Sequence, residues 1–435
     1  MYKKSLILLS IFSTLAIANE SIKPNAVAKK SKTSVRDAIA KSGKIKETQQ
    51  LDVNRFTKMF KNGSFSGQIR LSHVHSYSET TGSNITQDSA VGGQLKYETA
   101  SLFGVSFAAA FYTSNSLSRP SDKDFDNTLT SNNKSYNILA ESYVNYSYEG
   151  LNLRLGRQQL DTPYVDSDDW RMTPHTFEAY QATYEYKNVS FMAANVRNWQ
   201  GVDTMADDGS WDGNSWSQTG QNNKGTYFGS VGYADDFIET ALWYYNAGDM
   251  TSAWFADAIV AQNINENISI NLGVQYANQT QQDSSGLSAN AYGAWMEVTI
   301  SSYIPGEVGL NIGYNNSKVD DNRALWGGFG GGPYFVNMEY MTLDAVSVGG
   351  DAQAYVGGLV YKLKQLGFLY AYGNFDGFES TGVKARVVEQ DFGMSFKFKK
   401  QFKLIGIYST KDDKKNVGRS DWDEDYLHFR LTYAF

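Results

Sequence analysis

The stretch Leu427–Phe435, which reads Leu-His-Phe-Arg-Leu-Thr-Tyr-Ala-Phe, shows the pattern from which the fold is predicted. Its odd-numbered positions are apolar or aromatic, whereas its even-numbered positions carry His428, Arg430, Thr432 and Ala434. Because successive side chains of a strand point to opposite faces, this pattern predicts a strand with one apolar and one more polar face. A soluble β-sandwich contains strands of the same kind, so this stretch alone does not distinguish a β-sandwich from a membrane-spanning β-barrel.

The same alternation recurs from Ser64 to the last residue and predicts eighteen strands. The composition agrees, because 29 Tyr, 24 Phe and 39 Gly against 6 Pro suit many strands joined by glycine-containing turns. The predicted strands span 64–77, 90–99, 102–113, 136–148, 151–160, 176–186, 189–199, 226–235, 237–247, 252–264, 267–278, 289–300, 307–315, 351–364, 367–375, 386–398, 402–411 and 425–435.

The connections between these strands alternate between short turns and mostly long polar loops such as 114–135, 200–225 and 316–350, with the brief connection 248–251 as an exception. This alternation predicts an all-β fold, an 18-stranded antiparallel transmembrane β-barrel with short periplasmic turns and long extracellular loops. The segment Tyr334–Leu343 would add another strand and break the alternation, so we interpret it as part of a folded loop.

Alternation also assigns the two faces of each strand. A charge that faces lipid at mid-depth costs about 2–4 kcal/mol, so the charged positions are assigned to the lumen. Examples of the residues predicted to face lipid are Phe103, Val105, Phe107, Ala109 and Phe111 in one strand, Ile138, Ala140, Val144, Tyr146 and Tyr148 in the next, and Ile268, Ile270, Leu272, Val274 and Tyr276 in a third.

The N-terminal residues predict export. Residues 1–18 combine Lys3 and Lys4 with an apolar core and end in Ala16-Ile17-Ala18, as a signal peptide cut after Ala18 would. Residues 19–63 carry 11 Lys and Arg against 4 Asp and Glu, whereas the predicted barrel, 64–435, carries 26 against 42. We interpret 19–63 as a basic periplasmic tail that does not bind nucleic acid, with a possible short helix over 51–60 anchored by Leu51, Phe56 and Phe60.

Signatures of catalysis are scarce in the sequence. The chain has no cysteine and only four histidines. His73 and His75 share a strand face, but no further His or Cys lies near them in the sequence. No serine or acid–histidine arrangement is singled out. We therefore predict neither an enzyme nor a cofactor or metal site.

One segment, 151–180, combines inward charge with a stiff loop. Arg154 lies between Leu153 and Leu155, so alternation points it into the lumen. The loop that follows, 161–175, carries several charges between two prolines that restrict its backbone. A stiff, charged third loop is what a wide barrel needs to narrow its lumen. The alternative is a surface loop whose charges pair with one another.

The run Leu-Arg-Leu-Gly-Arg-Gln at 153–158, then Leu-Asp-Thr-Pro at 160–163 and Asp-Asp-Trp-Arg-Met-Thr-Pro-His-Thr-Phe-Glu at 168–178, resembles the OprD family of outer-membrane porins. The glycine-rich run 330–333 and the aromatic last strand are similar too. The resemblance implies eighteen strands, a constriction formed partly by the third loop and a file of basic residues along one wall. The pore and constriction residues that we assign on this basis are Arg154, Arg157, Asp168, Asp169 and Arg171 from the matching motif, with Arg70, Lys96 and Arg430, which are inward by alternation, as further candidates. Lys403 is inward as well.

The functional expectation is a passive diffusion channel for small hydrophilic solutes in the outer membrane of a Gram-negative bacterium. The resemblance implies carboxylate-bearing solutes such as amino acids. The expected partners are outer-membrane lipid and small solutes, and the chain would act as a monomer or a homotrimer. The alternative is a structural or adhesive surface barrel that acts through its long loops.

Overall fold

The computed structural model describes residues 53–78, 84–117, 126, 128–131, 134–202, 204, 215–301, 305–320, 322–379, 382–415, 417 and 422–435. The predicted signal peptide and most of the predicted tail lie outside these residues. Within the described ranges, none of the helices combines the length and the apolar content that a membrane crossing requires.

The described residues form eighteen long antiparallel strands, as the alternation predicted. Each strand pairs with its neighbours in the chain, and the first strand also pairs with the last, from Gln68 opposite Ala434 to Ser78 opposite Glu424, which closes the barrel. The strands are β1 (Ser64–Ser78), β2 (Asn84–Glu98), β3 (Val105–Ser116), β4 (Tyr136–Tyr148), β5 (Leu151–Gln158), β6 (Thr176–Tyr186), β7 (Val189–Gln200), β8 (Thr226–Ala234), β9 (Ile238–Ala247), β10 (Thr251–Asn265), β11 (Ile268–Gln281), β12 (Ala289–Ser301), β13 (Glu307–Val319), β14 (Ala352–Leu363), β15 (Leu366–Phe378), β16 (Lys384–Phe398), β17 (Phe402–Asp413) and β18 (Glu424–Ala434).

Shorter elements lie before the barrel and in its loops. Helix α1 (Val53–Lys61) precedes β1. The connection between β5 and β6, residues 159–175, is here called the third loop, and it contains a small hairpin of Asp161–Thr162 paired with Val165–Asp166. The connection between β13 and β14, residues 320–351, is the seventh loop and contains a 3-10 turn, Asp344–Val346. The remaining short elements are the strand Ser217–Gln218 and the 3-10 turn Gln221–Asn223.

The predicted faces hold where strands are regular and fail at a bulge. Phe107 and Phe111 on β3 and Leu272 and Val274 on β11 are exposed on the outside of the barrel, as predicted. In β4, however, a bulge shifts the register between its pairings with Ala110 and Phe111 of β3. An extra residue in one strand inverts the alternation beyond it. The predicted outward positions of Ile138 and Ala140 are therefore wrong: Ala140 is fully buried and Leu139 is 48% exposed.

Strand ends differ from the prediction mainly at the long-loop rim. β2 begins at Asn84, where the prediction began at 90, and β13 continues to Val319, where it ended at 315. These extensions are rich in polar residues on both faces, for example Thr86, Gln87 and Asp88. A strand that extends past the lipid no longer needs an apolar outer face, so the alternation that marks it fades before the strand ends.

The interior of the barrel has two different sides. On the wall formed by β8–β16, lumen-facing small and aromatic side chains pack against apolar side chains of the third and seventh loops. The wall residues include Phe228, Tyr245, Ala253, Phe255, Ala277, Ala291, Ala354, Val356, Ala371 and Phe375, and the loop residues include Tyr164, Trp326, Phe329, Tyr334, Val336, Met338 and Met341. On this side the lumen-facing wall is therefore apolar and is covered by the two loops. The strand cations assigned from the sequence that the structure keeps on the lumen side lie opposite, in β1, β2, β5, β17 and β18, and they are Arg70, Lys96, Arg154, Lys403 and Arg430.

Candidate functional site

Two arginines from the strands that close the barrel hold the backbone of the third loop. Arg70 of β1 binds both carboxylate oxygens of Asp169, with 2.6 Å from Nη1 to Oδ1, and donates to the carbonyls of Arg171 and Met172 at 3.0 Å each. Arg430 of β18 donates through Nη1 to the carbonyl of Asp169 at 2.9 Å and to that of Arg171 at 2.8 Å. We call Arg70, Arg430 and Asp169 the arginine latch. It ties residues 169–172 to the lumen side of β1 and β18.

The two arginines of the arginine latch are buried from solvent. Arg70 is 1% exposed and Arg430 is 9% exposed. The side chain of Asp169 keeps 31% of its surface exposed. Burial alone would raise the pKa of the Asp169 carboxyl, but the Arg70 guanidinium, together with Arg430, outweighs burial and holds the pKa below its usual range. The carboxylate is therefore the charged form that the latch binds.

Arg171 joins the third loop to the seventh loop. Its guanidinium donates to Glu339 at 3.2 Å and to the Tyr340 hydroxyl at 2.8 Å, and Trp170 donates to the same Glu339 oxygen at 2.7 Å. Glu389 of β16 in turn accepts the backbone N–H groups of Tyr340 and Met341, at 3.0 and 2.7 Å. A chain of hydrogen bonds thus runs from the third loop through the seventh loop to β16, which lies two strands from β18 in the barrel wall.

The two loops also meet directly, backbone to backbone. Asp166 N–H donates to the carbonyl of Phe329, and Phe329 N–H donates to that of Tyr164, both at 2.9 Å. Gly330 permits this approach: it has φ of 110°, and a Cβ there would lie 2.2 Å from the Asp166 carbonyl oxygen. The glycine-rich run noted in the sequence therefore lies where the seventh loop crosses the third loop.

Lys96 and Arg154 form a second basic pair on the lumen side, around the ring of Tyr143. Lys96 Nζ lies 5.1 Å and Arg154 Cζ lies 4.6 Å from the centre of that ring. Lys96 also forms an ion pair with the buried Glu141 at 2.6 Å. Among the described residues, Arg154 makes no ion pair, and its side chain is only half-buried. Arg154 is thus a cation on the lumen wall that forms no ion pair with a described carboxylate, while the Asp161 carboxyl interacts with it at longer range.

Not every residue assigned from the sequence belongs to these two groups. Arg157 lies on the outer face of β5 by strand alternation, together with Leu153 and Leu155, its guanidinium stacks on Trp216 at 4.4 Å, and it donates to the carbonyl of Leu139. The structure does not bring it together with Arg154. Asp168 is half-buried beside the glycine-rich run of the seventh loop.

Sequence reasoning missed three residues that hold the loops, namely Glu339, Tyr340 and Glu389, and it missed Tyr143, which lies between Lys96 and Arg154. The first two belong to the segment interpreted as a folded loop, and its several apolar and aromatic residues were a sign that it packs against something. Glu389 had no such sign. An inward carboxylate in a strand gives the same sequence pattern whether its side chain faces water or a loop.

A closed antiparallel barrel of eighteen strands, with its third loop bound to the inner side of its wall, defines the class of large transmembrane β-barrels. No family model matches the sequence, and no curated protein matches it either. Solved structures do match in fold. OccAB3 of Acinetobacter baumannii is 13% identical, with 86% of this chain and 99% of that one covered and a TM-score of 0.73.

Two structures from Pseudomonas aeruginosa are similar in the same way. OpdK with vanillate is 12% identical over 87% of this chain and 99% of that one, with a TM-score of 0.72. OccK2 (OpdF) in complex with glucuronate is 15% identical over 87% and 97%, with a TM-score of 0.69. These neighbours are OprD-family porins, and the chain has their fold. The resemblance found in the sequence is confirmed at this level.

Proposed function

We propose that this protein is a passive diffusion channel in the outer membrane of a Gram-negative bacterium, admitting small hydrophilic solutes without energy coupling. The observation that carries the proposal is the arginine latch. Arg70 and Arg430 leave adjacent strands on the lumen side and bind consecutive backbone groups of the third loop. In a barrel inserted in a membrane, this arrangement would hold residues 161–175 across the path of a solute. The predicted signal peptide, cut after Ala18, would supply the export that this location requires.

We further propose that the channel favours solutes that carry a carboxylate. Arg154 presents on the lumen wall, beside Lys96, a guanidinium that has no ion pair within the described part of the chain, and a planar guanidinium binds a carboxylate through two parallel hydrogen bonds. The aromatic face of Tyr143 fixes the position of both cations. Vanillate and glucuronate, the compounds named for two of the neighbours in fold, are both carboxylates. This shared chemistry supports the assignment.

Reconstitution of the full chain in planar lipid bilayers tests the function. We expect stepwise conductance increments in symmetrical salt and a reduction of current when a small carboxylate is added to one side. Heat-denatured protein at the same detergent concentration is the control. A bilayer that stays silent, although the barrel is inserted and folded by circular dichroism, would contradict the channel and favour the structural or adhesive barrel that acts through its loops.

The arginine latch predicts that the constriction is sensitive to acid. The pKa of Asp169 is depressed in the latched state, so the stabilisation by its carboxylate is complete above the pKa of a free aspartate, roughly 4. That stabilisation is lost as the pH falls through the depressed pKa. We expect single-channel conductance to rise below about pH 4, and the Asp169→Asn channel to lack this transition. An identical acid response of the Asn variant would assign the transition to another group.

A further inference from the structure

Helix α1 lies against the short-turn rim of the barrel, at the ends of β2 and β3. The backbone N–H of Ala100, in the turn between these strands, donates to the carbonyl of Met59 at 3.0 Å. The hydroxyl of Tyr97 donates to the carbonyl of Phe60. Met59 is 4% exposed, so it is the residue that packs the helix onto the barrel. The short helix predicted over 51–60 is present from Val53, but two of its expected anchors, Phe56 and Phe60, are exposed, and the third, Leu51, lies outside the described residues.

The apolar face of α1 is wider than its contact with the barrel. Phe56 is 45% exposed and Phe60 is 43% exposed, and their rings contact each other edge to face at 5.1 Å. With Met59 these residues have the i, i+3, i+4 spacing of one helix face. Lys58 and Lys61 lie on the rest of the helix surface and are exposed. The helix is therefore amphipathic, with two phenylalanines left outside the protein core.

The last turn of α1, which carries Phe60, is bound to an aromatic surface on the outside of the barrel. Tyr97 faces outward by alternation with Leu95, which is 47% exposed, and its ring contacts Phe65 at 4.8 Å. Phe65 is 68% exposed on the outer face of β1. Because the Tyr97 hydroxyl binds the last turn of α1, the helix ends at the outer side of the wall, beside a ring surface of the kind that sits at a membrane interface.

We propose that α1 is an interfacial lipid anchor, in which Phe56 and Phe60 insert into the headgroup and acyl-chain boundary of the periplasmic leaflet. Lys58 and Lys61 then face the headgroups, where anionic phospholipids attract them. This inference rests on the proposed membrane insertion of the barrel. The occupant is lipid because the exposed rings adjoin the lipid-facing wall and the remaining charge of the helix surface is positive.

Spin-label depth measurements on the full chain test the anchor. The chain has no cysteine, so a single introduced cysteine gives one labelled position. We would label Phe56→Cys, Lys58→Cys and Leu272→Cys separately in vesicles of phosphatidylethanolamine and phosphatidylglycerol. The oxygen-to-nickel-chelate accessibility ratio should place the Phe56 label roughly 5–10 Å below the aqueous surface and leave the Lys58 label in water.

The label at Leu272, which is 51% exposed on the outer face of β11, distinguishes a failure of the proposed anchor from a failure of membrane insertion. If its label reports lipid while the Phe56 label is as accessible to the nickel chelate as the Lys58 label, the anchor is refuted and the barrel stands. If the Leu272 label is also aqueous, membrane insertion itself is refuted, and the proposed function falls with it. Equal depths of the Phe56 and Lys58 labels, whether both are in water or both are in lipid, would likewise overturn the proposal.

Discussion

Replacing Asp169 with Asn is expected to release the third loop and open a conductance level higher than that of the unmodified channel. Arg70 would keep its two carbonyl acceptors but lose the carboxylate that neutralises its buried charge. Breaking a buried pair costs about 3–5 kcal/mol, and the exposure of Asp169 places this pair near the lower value. A change of about 3 kcal/mol alters the ratio of latched to released loop by roughly 100-fold. Single-channel recording would show this as frequent transitions to the higher level.

Asp168→Asn is the matched control for this substitution, because it removes the same charge one residue away without touching the latch. We expect its single-channel records to keep the original conductance level. A second variant, Arg70→Lys, retains the positive charge but replaces the planar fork that reaches Asp169 and two carbonyls at once. It should resemble Asp169→Asn. If Asp168→Asn and Asp169→Asn behaved alike, loss of charge alone would account for the change, and the latch would be disproved as the element that narrows the pore.

The fold was predictable because lipid imposes one rule on every strand. An apolar outer face repeats at every second residue, and the connections alternate in length at the two rims. The alternation of apolar and polar side chains fails as a guide where a strand is irregular or no longer contacts lipid. Ala140 was misassigned because a bulge changes the register, and a bulge is set by pairing with β3 rather than by local composition. The polar start of β2 was missed because it extends past the lipid.

The candidate site was predictable only in part, because alternation identifies the face of a residue but not what covers that face. Arg70, Arg430 and Arg154 are all inward, yet the first two are buried under the third loop and the last is half-buried on the lumen wall. Arg70 and Arg430 differ from Arg154 because they contact the third loop, which is about a hundred residues or more away from them in the sequence. Contacts between distant loops, such as Gly330 against Asp166, leave no periodic trace in a single sequence.

The second large effect is expected at Arg154. Its guanidinium is half-buried on the lumen wall and has no ion pair among the described residues, and opposite charges across a narrow aqueous gap sort ions by sign. A unit charge about 4 Å from a passing ion is worth about 1 kcal/mol even in water, which is a factor of roughly five in permeability. The same charge attracts an anion and repels a cation, so each permeability changes by that factor in the opposite direction. Arg154→Ala should therefore lower the anion-to-cation permeability ratio roughly 25-fold, as measured by the reversal potential in a salt gradient.

Arg157→Ala is the control that makes this test specific. Arg157 belongs to the same strand and carries the same charge, but it lies on the outer face, stacked on Trp216. Its removal should leave the reversal potential unchanged. Because both variants lose one positive charge from the same short segment, any shared change would reflect net charge rather than position. A shift with Arg157→Ala and none with Arg154→Ala would refute both the assignment of the two faces and the role of Arg154 in selecting solutes.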